Sequence, residues 1–158
     1  MKTVVIYATK HGTTKKAAEL IAAKLTGEVS VLNIKEVKIT DVEAADTVVI
    51  GGPFYIGMLR KPLKTFVQDH LETLLKKRVA LFFCAGVEDE KTFEQELSKN
   101  LPEKLLQSAV FKDSVGFEFD FKKMSGIEKL MIGKVMGLKE SRFNLKLDRI
   151  DELVKAVG

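Results

Sequence analysis

Short β-branched runs alternate along this chain with stretches in which apolar residues recur every three or four positions. Val4, Val5 and Ile6 form the first run, continuous enough for a strand that a parallel sheet buries on both faces. Ala18, Ile21, Ala22 and Leu25 then fall at helical spacing. Val29, Val31 and Ile34 predict a second strand, and residues 47–50 a third. Leu63, Phe66, Val67, His70, Leu71 and Leu74 share one stripe behind Pro62, which suits a helix start. Residues 79–83 predict a fourth strand, Phe93 and Leu97 a helix ending before Pro102, and 109–119 a fifth strand. Ile150, Leu153, Val154 and Val157 mark a final helix. This alternation predicts an α/β fold, doubly wound around a five-stranded parallel sheet.

One segment departs from the alternation. Met124, Ile127, Leu130, Met131, Val135 and Leu138 make a helical apolar stripe, widened by Ile132 and Met136 and flanked by Lys129, Lys134 and Lys139. It predicts a helical insertion, at about 122–144, before the last helix. Such a stripe serves either as a core face or as a surface helix. Between Lys122 and Arg149 stand eight basic and three acidic residues, so the net charge of +4 is concentrated here. A local excess of this kind is either a solvated face or a contact for an anionic partner or membrane surface.

At 158 residues the chain is expected to be a single domain, 1–158, large enough for a three-layer core. One cysteine excludes an internal disulfide and fits a reducing compartment. The longest uncharged run, 47–59, contains Gly51, Gly52, Pro53 and Gly57 and is too short to span a bilayer. Lys2 leads straight into an ordinary strand with no apolar leader, so a cytoplasmic protein is expected.

Candidate chemistry lies where the strands end. The first strand breaks into Thr9-Lys10-His11-Gly12-Thr13-Thr14 and turns at once into a helix. That arrangement aims free backbone N–H groups and the positive end of a helix dipole at one point, a site for phosphate. Neither GxxxxGK[ST] nor GxGxxG is present, and hydroxyls dominate, which suits one monophosphate better than a polyphosphate chain. The third strand leads into Gly51-Gly52-Pro53-Phe54-Tyr55-Ile56-Gly57, where glycines give a mobile backbone and two aromatics give flat surfaces for a ring system. The fourth leads into Cys84-Ala85-Gly86-Val87. Cys84 itself reads as a small buried hydrophobe, and His70 as a packing residue at the core boundary. Two distant histidines and one cysteine make no metal site. Nothing in the pattern indicates a nucleic-acid partner, and no catalytic residue stands out.

The first loop resembles the flavodoxin phosphate loop, usually Ser/Thr-x-Thr-Gly-x-Thr, with His11 at the position of its second hydroxyl. The resemblance implies bound FMN and the strand order 2-1-3-4-5. It also implies that Thr9, Lys10, His11, Gly12, Thr13 and Thr14 hold the phosphate, and that Pro53, Phe54, Tyr55, Ile56 and Gly57 flank the isoalloxazine through either Phe54 or Tyr55. Cys84, Ala85 and Gly86 would then read the flavin's pyrimidine edge through their backbone. With the Gly-x-x-x-Tyr-x-Gly-like second loop and the Met-rich basic insertion, the chain is similar to the flavodoxin-type, menaquinone-dependent protoporphyrinogen oxidases. That similarity implies a quinone-linked FMN oxidoreductase lying peripherally on the inner face of the cell membrane through 122–144. The alternative is a soluble flavodoxin that carries electrons between redox partner proteins. Ordinary flavodoxins are strongly acidic, whereas this chain is basic.

Overall fold

The computed structural model describes every residue except Ile56, Val87, Glu88, Asp120 and residues 137–140. Of Tyr55, Phe119, Met131, Ile132, Val135, Met136, Arg142 and Phe143 it describes the backbone only. Strand β1 (Lys2–Tyr7) pairs in parallel with β2 (Glu28–Asn33) on one side and β3 (Thr47–Tyr55) on the other. Next to β3 lies β5 (Arg78–Cys84), then β6 (Phe111–Ser114), both parallel. The order β2-β1-β3-β5-β6 is the 2-1-3-4-5 order expected, once β4 (Met58–Leu59), a two-residue partner of β3, is set aside.

Period-two alternation sends each strand's apolar residues to both faces. Val4, Ile6, Val48, Ile50, Leu81 and Phe83 pack with Leu63, Phe66, Val67, Leu74, Phe93 and Leu97. These last six come from α3 (Lys61–Asp69), α4 (Leu71–Leu75) and α5 (Glu90–Asn100). Val5, Tyr7, Val49, Ala80 and Phe82 pack on the opposite face. They meet Ala17, Ala18 and Ile21 of α1 (Thr13–Lys24), and Ile150, Leu153 and Val157 of α8 (Leu147–Val157). A sheet covered on both faces explains why its strands read as continuous apolar runs.

Four expectations need correction. The helix expected through Leu63–Leu74 breaks at His70 (φ −118°, ψ 20°), whose ring packs edge-on against Phe66 at 4.9 Å, the packing role expected of it. Short helices α2 (Ile39–Glu43) and α6 (Glu103–Ser108) carry too few residues for a stripe to be seen. The glycine-aromatic stretch is mostly strand rather than mobile loop. A Cβ on Gly51 would sit 2.0 Å from the Phe82 ring and one on Gly52 2.6 Å from Leu63, so both glycines make room for core side chains.

Finally, the fifth strand is two strands. β6 stops at Ser114, and β7 (Gly116–Phe119) leaves the main sheet to pair antiparallel with β8 (Arg142–Leu145). Gly116 turns the chain at φ +96°, and a Cβ there would lie 2.1 Å from the Asn144 carbonyl oxygen. Between β7 and β8 lie a 3₁₀ turn (Phe121–Lys123) and α7 (Gly126–Met136). Among the described residues the insertion is helical as far as Met136 and returns as a strand from Arg142. Its expected stripe is split: Met124 is buried, Ile127 and Leu130 are exposed, and Leu138 lies outside the described residues.

Candidate functional site

Parallel strands leave a crevice beyond their carboxyl ends where the winding reverses, here between β1 and β3. A narrow cleft of about 30 Å³ lies there. Thr9, Lys10, His11, Thr13, Thr14, Pro53, Phe54, Cys84, Phe117 and Glu118 line it. Eight of these ten were expected from sequence, and three loops far apart in the chain supply them.

The turn into α1 leaves backbone donors that could hold an anion. Gly12 caps the helix in the left-handed region at φ +92°, and its carbonyl accepts the Lys16 N–H at 3.0 Å. The N–H groups of Thr13, Thr14 and Lys15 precede that first helical bond. No side-chain cap closes them, and no acidic residue stands in the first turn. Thr9 Oγ1 accepts the Gly12 N–H at 2.9 Å, which tightens the loop and leaves the Thr9 hydroxyl proton to donate. Thr14 is 1% exposed, and its Oγ1 has no hydrogen-bond partner among the described residues. A buried hydroxyl without a partner at the wall of a polar cleft fits an anionic ligand oxygen.

The Lys10 and His11 side chains of this loop are engaged by the insertion. Glu128 Oε2 lies 2.7 Å from His11 Nε2 and 3.3 Å from Lys10 Nζ. Its other oxygen accepts the Ser125 N–H at 3.4 Å, while Ser125 Oγ accepts the Glu128 N–H at 3.2 Å, a capping box at the start of α7. Burial raises the Glu128 pKa, but the contacts from His11, Lys10 and the Ser125 N–H outweigh it and hold the carboxyl at about 2. Lys123 Nζ donates to the His11 carbonyl at 3.5 Å, and Lys16 pairs with Glu118 at 2.8 Å.

On the far wall Phe54 is a core residue first. Its ring meets Phe83 and Phe93 edge-on at 5.1 and 5.8 Å, and it is 7% exposed. The Tyr55 side chain and Ile56 lie outside the described residues. Gly57 takes φ +73° beyond the β3 end. Cys84 is buried, as expected; burial pushes its thiol up to about 12, and the nearby Thr14 hydroxyl offsets only part of that. Ala85 is tied to the β6–β7 corner: its N–H donates to the Gly116 carbonyl at 3.0 Å, and its carbonyl accepts from Ser114 Oγ at 2.8 Å. Gly86 is half-buried beside it, and Val87 lies outside the described residues.

Sequence reasoning missed Phe117, Glu118 and Glu128. The alternation Phe117-Glu118-Phe119 was a legible strand signal. What placed it at the cleft was the turn at Gly116, which no local pattern announces. It also missed Asn100, a buried residue whose Oδ1 accepts the Leu59 N–H at 3.0 Å. The Asn100 Nδ2 donates to the carbonyls of Gly57 at 3.0 Å and Glu96 at 2.7 Å, so α5 holds the β3–β4 hairpin.

Comparison with known proteins agrees with this architecture. The flavodoxin domain profile matches residues 4–145. A flavodoxin of Aquifex aeolicus (strain VF5) is 39% identical over 88 residues, 53% of this chain. The chain spans about half of that relative, 48% of its length. Among solved structures, a flavodoxin from the domain Archaea superposes with a TM-score of 0.53 at 18% identity, over 89% of this chain and all of the other. Rubredoxin oxygen:oxidoreductase of Desulfovibrio gigas superposes with a TM-score of 0.55 at 14% identity, over 99% of this chain and 36% of that one. Identities this low speak to fold alone, whereas the profile match covers nearly the whole sequence. The chain belongs to the flavodoxin domain family.

Proposed function

We propose that this protein binds FMN at the β1–α1 loop and carries electrons between redox partner proteins. The observation that carries the reading is the buried Thr14 hydroxyl, which has no nitrogen or oxygen partner among the described residues, beside the uncapped first turn of α1 at the end of the sheet. Thr9, Gly12, Thr13 and Thr14 would hold the phosphate through N–H and O–H donors, with Lys10 supplying charge and His11 a ring nitrogen. Pro53, Gly57 and either Phe54 or Tyr55 would flank the ring, and the backbone of Cys84, Ala85 and Gly86 would meet its edge. The commitment of Phe54 to the core favours Tyr55 as the flanking aromatic. When bound, the flavin supplies the redox chemistry, and the protein supplies position and electrostatics. Family membership and the flavodoxin names of its relatives support a carrier more directly than an enzyme with its own substrate.

Thr14→Ala tests the assignment. Loss of a buried donor to a charged oxygen should weaken FMN roughly ten- to a hundredfold while leaving riboflavin binding nearly unchanged. Equal losses for both flavins overturn the phosphate assignment, and a protein that takes up neither overturns the reading.

A second reading rests on the insertion. Ile127 and Leu130, one turn apart on α7, are 73% and 62% exposed beside exposed Lys129 and Lys134. Apolar tips within a basic surface suit peripheral contact with an anionic bilayer, as a quinone-linked oxidase akin to menaquinone-dependent protoporphyrinogen oxidase would need. No helix among the described residues is long and apolar enough to cross a membrane. Ile127→Glu with Leu130→Glu should abolish sedimentation with anionic vesicles. Quinone-dependent protoporphyrin fluorescence from protoporphyrinogen under anaerobic conditions should appear above an FMN-only control. Unchanged sedimentation and no fluorescence growth return the protein to the carrier reading.

A further inference from the structure

We infer that Glu128 occupies the charge site of the phosphate loop and sets how strongly the protein selects a phosphorylated flavin over an unphosphorylated one. This rests on the FMN reading above and concerns the same subsite.

Three observations converge. First, the two side chains offered to a phosphate by the loop, the Lys10 ammonium and the His11 ring, both face one carboxylate oxygen, Glu128 Oε2, at 3.3 and 2.7 Å. A carboxylate here satisfies the charge that a phosphate would otherwise satisfy. Second, that carboxylate is well anchored: its side chain is 16% exposed, and its second oxygen caps α7. Third, the cleft holds only about 30 Å³, against roughly 300 Å³ or more for a ligand pocket. The wall that narrows it carries Phe117 and Glu118, and a second ion pair, Glu118 to Lys16, ties that wall to α1 at 2.8 Å. Glu128 thus fastens the insertion over the phosphate loop, and Glu118 fastens β7 to α1 beside it. A dianionic phosphate arriving at Thr13 and Thr14 meets like charge from Glu128 and competes with it for Lys10 and His11. Binding and fastening are therefore coupled, and the coupling is reciprocal.

Glu128→Gln isolates the charge, because glutamine keeps the capping box at N3 while removing the anion. Removal of one negative charge from beside a dianion in a solvated cleft should tighten FMN on the order of tenfold. Riboflavin affinity should not move. Glu128→Ala, which also uncaps α7, should tighten FMN similarly and lower helix content. A readout independent of flavin is inorganic phosphate added to the flavin-free protein, followed by the amide resonances of Gly12, Thr13 and Thr14. Those amides should respond at roughly tenfold lower phosphate in Glu128→Gln than in the parent. If no flavin binds either protein, the FMN reading falls, and the phosphate titration still decides this one. Unchanged or weaker phosphate and FMN binding in Glu128→Gln overturns the inference, as does a rise in riboflavin affinity equal to that for FMN. Absence of any phosphate response in both proteins overturns it as well.

Discussion

Two residues at the cleft wall, Cys84 and Phe54, show how burial decides what a side chain does. The Cys84 thiol is 6% exposed and pushed up to about 12 by desolvation, so it stays protonated and unreactive in the folded protein. The unfolded chain ionises from the ordinary value of 9.0. Because the folded state binds the proton more tightly, its stability is complete below about 9 and declines as pH rises toward about 12. The slope reaches at most about 1.4 kcal/mol per pH unit. Urea midpoints measured from pH 8 to 10.5 should show that slope in the parent, and a smaller one in Cys84→Ala. Phe54 presents the complementary case. With two edge-on aromatic neighbours, Phe54→Ala should cost about 3–5 kcal/mol of stability, read in the same denaturant assay. A loss below about 1 kcal/mol would mean that the ring serves the cleft rather than the core.

Elements were legible wherever one segment carried its own periodicity. β1, α1, β3, β5 and α8 announce themselves because the residues that bury them are spaced within a single run. The β1–α1 loop was legible for the same reason: strand, loop and helix are contiguous. What stayed hidden depends on partners far along the chain. β6 and β7 read as one strand because Gly116 needs its positive φ only when β8 arrives, with Asn144 and Leu145, to pack against it. Likewise Asn100 reads as a polar residue near a helix end, yet it secures the hairpin 41 residues upstream. Asn100→Leu removes an acceptor from the Leu59 N–H and a donor from the Gly57 carbonyl. It should destabilise the fold by about 2–4 kcal/mol, with early hydrogen exchange at the Leu59 amide. Exchange at Leu59 no faster than in β3 would show that the hairpin stands without α5.

Across the whole molecule, the basic excess is carried by residues 122–149, with eight basic and three acidic residues, and Lys123 and Glu128 of this stretch reach the candidate site. Glu118 and Glu128 are engaged with Lys16, Lys10 and His11, while Lys129 and Lys134 are exposed and add a positive field on the insertion. For a carrier, such a field biases which partners approach the cofactor. An acidic partner surface would be drawn in and a basic one repelled. Small electron acceptors of opposite charge test this without requiring a partner to be known. Oxidation of the reduced flavoprotein by ferricyanide should slow about threefold or more between 10 mM and 500 mM salt as screening tightens. Oxidation by a cationic cobalt complex should quicken over the same range. Lys129→Glu with Lys134→Glu should reverse both trends while leaving FMN bound, because neither lysine lines the cleft. Salt dependence that survives the double substitution unchanged would place the governing charge elsewhere on the molecule and remove the insertion from partner choice.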